Sequence, residues 1–569
     1  MKKSLILSLL LCLLTQMAVA QAPKWVEKTK KAVFSVVTYD KNDKILNTGN
    51  GFFVSEDGVA LSDFTLFKDA KRAVIIDSDG KEMPVDCILG VSSLYDVVKF
   101  RVAISSKKVF SLTLAETTPI VGEQVWMLPY STQKSDWCTT GKVKQVTKIA
   151  DKHQYFTLDM VMKEKMVSCP IVNAKGQVFG ISQKSSGSDA ATVCYAVGAS
   201  FGISLDIKAL SMSDSNLRSI GIKKGLPDNE DQALVYLFMA STQLTSEEYS
   251  QLLNDFIKQF PNNSDGYLRR ANYLIQSAGE NESAFEKANA DMEEALKVAK
   301  KKDDVYYNIS KSIYSYMLSN PEKPYKKWSY DQALTQIKEA ETINPLPVYI
   351  QLEGDILFAK QDYAGALSCY EKVNKSNLVS PATYFSAAKT KELMKADLKE
   401  VLVLMDSCVA LCPHPMTADV APYVLERAQL YMKAEQYKNA LSDYDTYFTA
   451  TNGQVNDLFY YYREQAAFKA RQFQRALDDI AKAIEMNPKE VLYQAELAVI
   501  NMRVGRVDEA IKVLQGTIAM EPKYAEAYRL MGLCFIQQKK NKEACSQFAK
   551  AKELGDPNVD ELIKKYCEK

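Results

Sequence analysis

The chain has 569 residues, of which 47% are hydrophobic and 25% are charged. That length is too great for one hydrophobic core, and the composition is that of a folded protein rather than a disordered or fibrous one. Because 71 basic residues stand against 70 acidic ones, there is no basic surplus for nucleic acid. Only two histidines occur, His153 and His414, so histidine-dependent catalysis would have to use one of them.

The first 20 residues have the features of a secretory signal peptide. Two lysines open the segment, an apolar run covers residues 5–14, and Ala18-Val19-Ala20 forms a small-x-small cleavage site. The apolar run is too short to span a bilayer, and Cys12 within it lacks the small neighbours of a lipoprotein cleavage site. We therefore predict cleavage before Gln21 and an exported protein, periplasmic or secreted, without an integral membrane segment.

The segment 21–208 is composed of short predicted strands separated by Gly, Asn and Asp turns, a pattern typical of an all-β barrel or sandwich. Three landmarks follow in order: GNGFFV with a later Asp-Gly (49–58), GVALSDFTLFKDA (58–70) and PIVNAKGQVFGI (170–181). They resemble the trypsin-like fold, in particular the HtrA family of exported serine proteases. The resemblance implies a double β-barrel.

The catalytic positions of that family fall on unsuitable residues in this chain. The resemblance places the family's catalytic His, Asp and Ser at Thr65, Asp96 and Val167. The family's oxyanion-loop glycine falls at Lys165, and the two glycines after the nucleophile fall at Ser168 and Cys169. Threonine accepts no proton near neutral pH, and valine has no nucleophilic atom. We therefore expect a pseudoprotease domain without catalytic residues.

Other positions also offer reactive side chains. Strand alternation predicts that Ser168 points away from the catalytic cleft, and His153 falls in a predicted hairpin (149–155), far from a base carried by the first barrel. The segment from Cys408 through Cys412 to His414 supplies three candidate metal ligands of mixed geometry. Buried cysteines commonly pack as small hydrophobes, so we predict no metal site and no cofactor.

Residues 229–556 carry a 34-residue repeat. Small and apolar residues recur at this spacing in three columns, which are Ala476, Ala510 and Ala544; Ile480, Leu514 and Phe548; and Ala483, Thr517 and Ala551. Two units end in a proline at the same spacing, Pro488 and Pro522. Small side chains let helices approach closely, and proline cannot continue a helix interior. The pattern resembles the tetratricopeptide repeat (TPR), whose unit is a pair of antiparallel helices. We predict about nine units after a connector (209–228), with a charged capping helix over 557–569.

The resemblance to TPR proteins implies a concave wall, built from the first helix of each unit, that binds a peptide or protein partner. The predicted wall consists of Gln351, Asp355, Phe385, Lys389, Leu425, Gln429, Tyr461, Gln465, Val499, Arg529 and Leu533. It lacks the Lys/Asn clamp that some TPR proteins use for a peptide carboxylate. The alternative is that Tyr461 and its neighbours pack between repeats, because adjacent aromatic residues cannot all face one way on a helix.

The predicted architecture is thus a trypsin-like double β-barrel followed by an all-α TPR solenoid. It favours an exported, non-catalytic adaptor or scaffold that binds peptides or protein partners through the TPR groove. One alternative is an active HtrA-like endopeptidase whose substrates or partners are recruited by the repeats. A second is a structural assembly factor of the cell envelope. The oligomeric state and the identity of the partner stay open.

Overall fold

A computed structural model describes residues 23–105, 108–132, 138–149, 152–162, 165–184, 193–322 and 324–568. The predicted signal peptide lies outside these residues. These described residues divide into two compact units, one within 1–279 together with 286–298, and the other within 280–285 together with 299–569. Among the described residues, no helix combines the length and the apolar character needed to cross a membrane.

Twelve strands lie among the described residues of the first unit. They are β1 Val33–Tyr39, β2 Ile45–Phe53, β3 Val59–Ser62, β4 Arg72–Ile76, β5 Glu82–Ser92, β6 Val97–Val102, β7 Gln124–Met127, β8 Thr139–Ile149, β9 His153–Asp159, β10 Pro170–Val172, β11 Val178–Gln183 and β12 Val193–Gly198. They close into two antiparallel barrels of six strands, in the orders β1-β2-β3-β6-β5-β4 and β10-β11-β12-β9-β8-β7. The prediction of a double β-barrel is confirmed.

Aromatic rings fill the first barrel. The ring centroids of Phe34 and Phe53 lie 4.6 Å apart, and those of Phe67 and Phe100 lie 4.9 Å apart. Gly51 on β2 is required by this packing, because a Cβ at that position would fall 2.6 Å from the Phe34 ring. Burial of these large apolar surfaces is the main term that stabilises the barrel.

Short helices accompany the barrels, and nine helix pairs follow within residues 230–322 and 324–553. The short helices are α1 Val26–Thr29, α2 Phe64–Phe67, α3 Ala199–Ile203 and α4 Ser215–Ser219. The pairs are α5 Glu230–Ala240 and α6 Ser246–Gln259; α7 Ser264–Ser277 and α8 Glu282–Val298; α9 Lys302–Ser319 and α10 Tyr330–Ile343; α11 Pro347–Ala359 and α12 Tyr363–Asn374; α13 Pro381–Leu393 and α14 Leu398–Ala410; α15 Ala421–Lys433 and α16 Tyr437–Ala450; α17 Asp457–Lys469 and α18 Phe473–Met486; α19 Val491–Arg503 and α20 Val507–Met520; α21 Ala525–Gln537 and α22 Asn541–Glu553. A last helix, α23 Asp560–Tyr566, follows them. The predicted solenoid of helical repeats is confirmed.

The core of the first barrel continues into the first helix pair. Tyr236 and Leu237 of α5 and Phe256 of α6 belong to the same buried cluster as Phe100 of β6. The predicted connector (209–228) is part of this packing, because it contributes four buried apolar residues, Leu217, Ile220, Ile222 and Leu226. The first helix pair therefore forms an additional layer over the barrel.

Small residues at the helix crossings set the spacing within the repeats. Ala476, Ala510 and Ala544 are fully buried, as the 34-residue column predicts. At Gly532 of α21 a Cβ would lie 2.4 Å from the Phe548 ring of α22, whereas at Gly516 of α20 it would meet no atom within 4 Å. Packing thus requires glycine at position 532 and does not require it at position 516.

Buried ion pairs join the two helices of several units. The Arg463 guanidinium donates through Nε and Nη2 to both carboxylate oxygens of Asp479, at 2.9 and 2.6 Å. Arg427 and Asp443 form the same two-bond arrangement with both distances at 2.8 Å. Removing one partner of such a pair would leave an uncompensated buried charge, so we expect either single substitution to destabilise its helix pair.

The last helix covers the end of the array. Leu562, Ile563 and Tyr566 of α23 pack against the buried cluster that contains Phe548 of α22. A disulfide between Cys545 and Cys567 attaches this helix to α22. The sequence pattern predicts the capping helix but not the disulfide.

Candidate functional site

In the barrel unit, two of the three positions implied by the protease resemblance lie in direct contact. Thr65 lies on α2, directly after β3, and Asp96 lies in the turn between β5 and β6. The backbone N–H and the Oγ1 hydroxyl of Thr65 both donate to Asp96 Oδ1, each at 2.8 Å. The carboxylate that would orient a histidine in a protease therefore accepts two hydrogen bonds from threonine.

A buried carboxylate, not predicted as a site residue, lies beside this pair. Asp63 is 8% exposed and accepts a hydrogen bond of 2.7 Å from the hydroxyl of Ser168, which is 1% exposed. Burial raises the pKa of Asp63 to about 6, against the opposing effect of the Ser168 hydrogen bond. Because Asp63 follows β3 and Ser168 precedes β10, this hydrogen bond joins the two barrels.

Two further polar residues hold the turn that contains the nucleophile position. The Asn50 side-chain amide on β2 donates to the carbonyls of Lys165 and Val167 at 2.8 and 2.9 Å. The Ser182 hydroxyl on β11 donates to the carbonyl of Met166 at 2.6 Å. We call the four residues Asn50, Asp63, Ser168 and Ser182 the interlock, because they tie this turn to both barrels.

The expectation for Ser168 needs a correction. Ser168 lies in a turn before β10 and has a φ of +59°, so strand alternation does not determine its direction. Its side chain points to Asp63 in the first barrel and is shielded from solvent. The neighbouring Cys169 is fully buried, and this burial raises the pKa of its thiol.

The histidine and cysteine candidates lie elsewhere. His153 is the first residue of β9, and its Nδ1 lies 3.3 Å from the Ser200 hydroxyl. Cys408 and Cys412 are both buried at the end of α14, and the Cys412 thiol donates to the Cys408 carbonyl at 3.5 Å. Both cysteines are thus packed as small apolar side chains.

The eleven predicted wall residues all lie on first helices of pairs, from α11 to α21. Gln429 is exposed, and the other ten are half-buried. Side chains of this kind hold a fixed position and still reach solvent, as a binding surface requires. The assignment of these residues to a binding surface stays a prediction.

Three wall residues meet in one pocket. Asp355, Phe385 and Lys389 line a cavity of about 230 Å³, together with Tyr314, Phe358, Tyr370 and Ser386. The Tyr370 hydroxyl donates to Asp355 Oδ1 at 2.9 Å, and burial raises the pKa of Asp355. Sequence reasoning missed Tyr314 and Tyr370, because they belong to α9 and α12, outside the first helices chosen for the wall.

A second group surrounds the wall residues of α17. The Gln465 amide donates to Glu464 Oε2 at 2.8 Å, and Glu464 is fully buried. Burial raises the pKa of Glu464 to about 8, with a smaller effect from the nearby Glu496 carboxylate. The half-buried Tyr461 places its ring centroid 5.4 Å from that of Tyr493 on the next pair, so it contacts a neighbouring repeat as the alternative interpretation requires.

Arg529 also has a visible packing role. Its Nε donates to Asp556 Oδ2 at 2.9 Å, and the Asp556 side chain is only 3% exposed. Loss of the guanidinium would leave this carboxylate buried without its charge partner. Arg529 therefore stabilises the last helix pair, whatever it contributes to a binding surface.

Two family models match parts of the chain. Residues 49–181 match the trypsin-like peptidase domain, and residues 467–534 match the tetratricopeptide repeat. These matches confirm both predicted resemblances. TPR repeats in turn indicate protein–protein binding.

Curated relatives match parts of the chain, and two of those that follow are TPR proteins by name. The chain is 25% identical over 186 residues to the TPR repeat-containing protein MJ1428 of Methanocaldococcus jannaschii, which covers 32% of each protein. It is 29% identical over 99 residues to the small glutamine-rich tetratricopeptide repeat-containing protein 2 of Mycosarcoma maydis, covering 17% of this chain and 28% of that protein. It is 25% identical over 190 residues to the mitochondrial import receptor subunit TOM70 of Homo sapiens, covering 32% of this chain and 28% of that protein. The chain thus spans a third or less of the length of these relatives.

Proposed function

We propose that the protein is an exported, non-catalytic adaptor that holds peptides or protein partners on the first helices of its TPR array. The observation that carries the non-catalytic part is the pairing of Thr65 with Asp96 beside a turn that has valine at the nucleophile position. A serine-protease mechanism needs a base in the place of Thr65 and a hydroxyl in the place of Val167.

A relocated nucleophile is the strongest objection to this proposal. Ser168 donates to a buried carboxylate at 2.7 Å, which resembles a nucleophile beside a base. However, a nucleophile must reach the carbonyl carbon of its substrate, and Ser168 is only 1% exposed. The Ser168 N–H also donates to the Ser182 carbonyl at 2.8 Å, which leaves it unable to support an oxyanion. The interlock is therefore better explained as a structural link between the barrels.

The binding part of the proposal rests on the TPR array. Repeat arrays present extended surfaces for partners, and the wall residues of this chain are held half-exposed on successive first helices. Two of the relatives named above are TPR proteins by name.

Export is supported by two features. The first 20 residues have the pattern of a secretory signal peptide. Cys545 and Cys567 form a disulfide, a cross-link typical of proteins from oxidising compartments. Mass spectrometry of the protein expressed in a bacterial host should find a mature N-terminus at Gln21 in the periplasm or the medium. A chain retained in the cytoplasm with its first residues intact would refute export.

Catalysis is tested by incubating the purified full chain with casein and with a fluorescent serine-reactive phosphonate, with trypsin as the positive control. We expect no casein cleavage and no labelling. Labelling that disappears in Ser168→Ala or Cys169→Ala would reveal a relocated nucleophile and refute the non-catalytic assignment.

Partner binding is tested by pull-down from an envelope extract with the wild type and with Tyr461→Ala. Melting curves of both proteins separate the two roles open to Tyr461. We expect weaker capture by a variant that melts as the wild type does. A variant that melts earlier and captures equally would place Tyr461 between repeats and remove it from the binding surface.

A further inference from the structure

The pocket around Asp355 combines a carboxylate with aromatic walls. Asp355 comes from α11, and the rings around it come from Tyr314 on α9, Phe358 on α11 and Phe385 on α13. Three successive repeats therefore build one cavity. A cation is attracted both to a carboxylate and to the faces of aromatic rings, and both attractions strengthen where water is partly excluded.

The charges around the pocket leave Asp355 without a cationic partner among the residues that the structure describes. Its Oδ1 accepts from the Tyr370 hydroxyl, a neutral donor, at 2.9 Å. The Lys389 ammonium also lines the pocket, but it is paired with Glu392 at 3.1 Å and with Glu426 at 2.9 Å. The lysine charge is thus balanced within its own helix pair and the next one, and the pocket keeps the unbalanced negative charge of Asp355.

The size of the cavity limits its occupant. Pockets for drug-sized ligands have volumes of roughly 300–1,000 Å³. A volume of about 230 Å³ is smaller than this range and is suited to one long side chain. The lysine side chain joins an aliphatic stem, which packs on apolar walls, to a terminal charge. Arginine has the same amphipathic character.

We infer that this pocket receives a basic side chain, lysine or arginine, of a bound peptide or protein, with Asp355 balancing its charge and the surrounding rings packing against its stem. This inference rests on the proposed adaptor function, because it assigns one recognition element to the same surface. It also predicts selectivity, since a carboxylate in a partly desolvated site disfavours an acidic side chain.

The test is selection of peptides from a phage-displayed library of random 12-residue sequences by the immobilised full chain. Wild type, Asp355→Asn and Glu339→Gln are compared. Asparagine retains the shape of the side chain and an oxygen for the Tyr370 hydroxyl. Glu339→Gln is the matched control, because it removes an exposed carboxylate from α10, outside the pocket.

We expect wild type and Glu339→Gln to select peptides with lysine or arginine at one fixed position, and Asp355→Asn to lose that enrichment. A synthetic copy of the most enriched peptide should bind Asp355→Asn at least tenfold more weakly in fluorescence anisotropy. Replacing its basic residue with alanine should weaken binding to the wild type by a similar factor. It should weaken binding to Asp355→Asn far less, because the interaction is already lost.

Two kinds of failure are distinguishable. If the wild type selects peptides without a basic position, or if Asp355→Asn shows the same basic enrichment, the pocket inference is wrong and the adaptor function stands. If the wild type selects no peptide, the peptide-binding proposal fails and the inference fails with it. A second variant, Phe358→Leu, removes one aromatic wall without changing charge, and binding of the selected peptide to this variant at wild-type strength would also overturn the inference.

Discussion

Replacing Ser168 with alanine tests the interlock between the barrels. The change deletes the hydroxyl that donates to Asp63 at 2.7 Å and leaves a buried carboxylate with one hydrogen bond fewer. A hydrogen bond to a charged group contributes about 1.5–3 kcal/mol to stability, whereas one between neutral groups contributes about 0.5–1.5 kcal/mol. We therefore expect Ser168→Ala to lower the free energy of unfolding of the first unit by about 1.5–3 kcal/mol at pH 8, where Asp63 is ionised.

The loss should depend on pH. Burial raises the pKa of Asp63 from 3.8 to about 6, so the carboxyl is charged at pH 8 and mostly neutral at pH 5. A raised pKa in the folded state means that this group favours folding most below pH 3.8 and loses that contribution as the pH rises through 6. The Ser168 hydroxyl opposes this loss by stabilising the charged form. At pH 5 the cost of Ser168→Ala should therefore fall to about 0.5–1.5 kcal/mol.

Ser168→Gly separates the hydrogen bond from the backbone conformation. Ser168 has a φ of +59°, a region that costs a residue with a Cβ roughly 1–2 kcal/mol. Glycine loses the same hydroxyl but avoids that cost. The glycine variant should thus be about 1 kcal/mol more stable than the alanine variant at both pH values.

Hydrogen exchange of peptides from residues 165–184, measured at several urea concentrations at pH 5 and pH 8, reports the local free energy of opening. Ser204→Ala is the control, because it removes an exposed hydroxyl that donates to the Phe201 carbonyl of the adjacent helix α3. Equal protection of wild type and Ser168→Ala at both pH values would show that the interlock contributes nothing. If the alanine variant is as stable as the glycine variant, the predicted cost of the positive φ at position 168 is wrong.

Burial raises the pKa of Glu464 from 4.5 to about 8. The stability of the wild-type array should therefore fall as the pH rises from 4.5 to 8, because the buried carboxyl becomes charged. The variant Glu464→Gln should not show this fall. At pH 8 the free energy of unfolding of Glu464→Gln should exceed that of the wild type by about 3–5 kcal/mol. If urea unfolding gives parallel stability–pH curves for the two proteins, the raised pKa of Glu464 is wrong. Gly532→Ala should destabilise the array by about 1–3 kcal/mol, because the added methyl group meets the buried Phe548 ring. Gly516→Ala should stabilise the array by about 0.5–1 kcal/mol, because its methyl group meets no other atom and alanine is the better helix former. Thermal unfolding compares these two variants, and shifts of the same sign would show that the crossing is assigned wrongly. Replacing Cys545 and Cys567 together with serine removes a cross-link between residues 22 apart and should cost the capped end of the array about 3 kcal/mol; hydrogen exchange that is unchanged there would refute this.

The repeats were predictable because each column reflects a direct packing requirement. Ala510 and Ala544 are fully buried at helix crossings, so any larger residue would separate the helices. The 34-residue pattern does not predict the ion pairs Arg427–Asp443 and Arg463–Asp479, because these two units are offset by 36 residues. Periodicity finds contacts only where the connections between units keep one length.

The candidate sites were only partly predictable, for a related reason. Thr65 and Asp96 each belong to a short motif, and the structure brings the two into direct contact as the resemblance implies. The bond between Asp63 and Ser168 joins residues 105 positions apart and depends on how the two barrels close, which no local pattern encodes. The aromatic walls of the Asp355 pocket likewise come from three repeats, and their convergence depends on inter-repeat packing.

The shared core of the first barrel and the first helix pair has a consequence for how such a chain can change length. Solenoids commonly grow or shrink by duplication or loss of whole repeats, because each repeat contacts only its neighbours. In this protein α5 and α6 supply Tyr236 and Phe256 to the same apolar cluster as the barrel strand β6. Deleting that pair would expose the barrel core, and inserting a repeat before it would displace its contacts. We therefore expect gain or loss of repeats to be tolerated only farther along the array, and the pair α5–α6 to be retained together with the barrel.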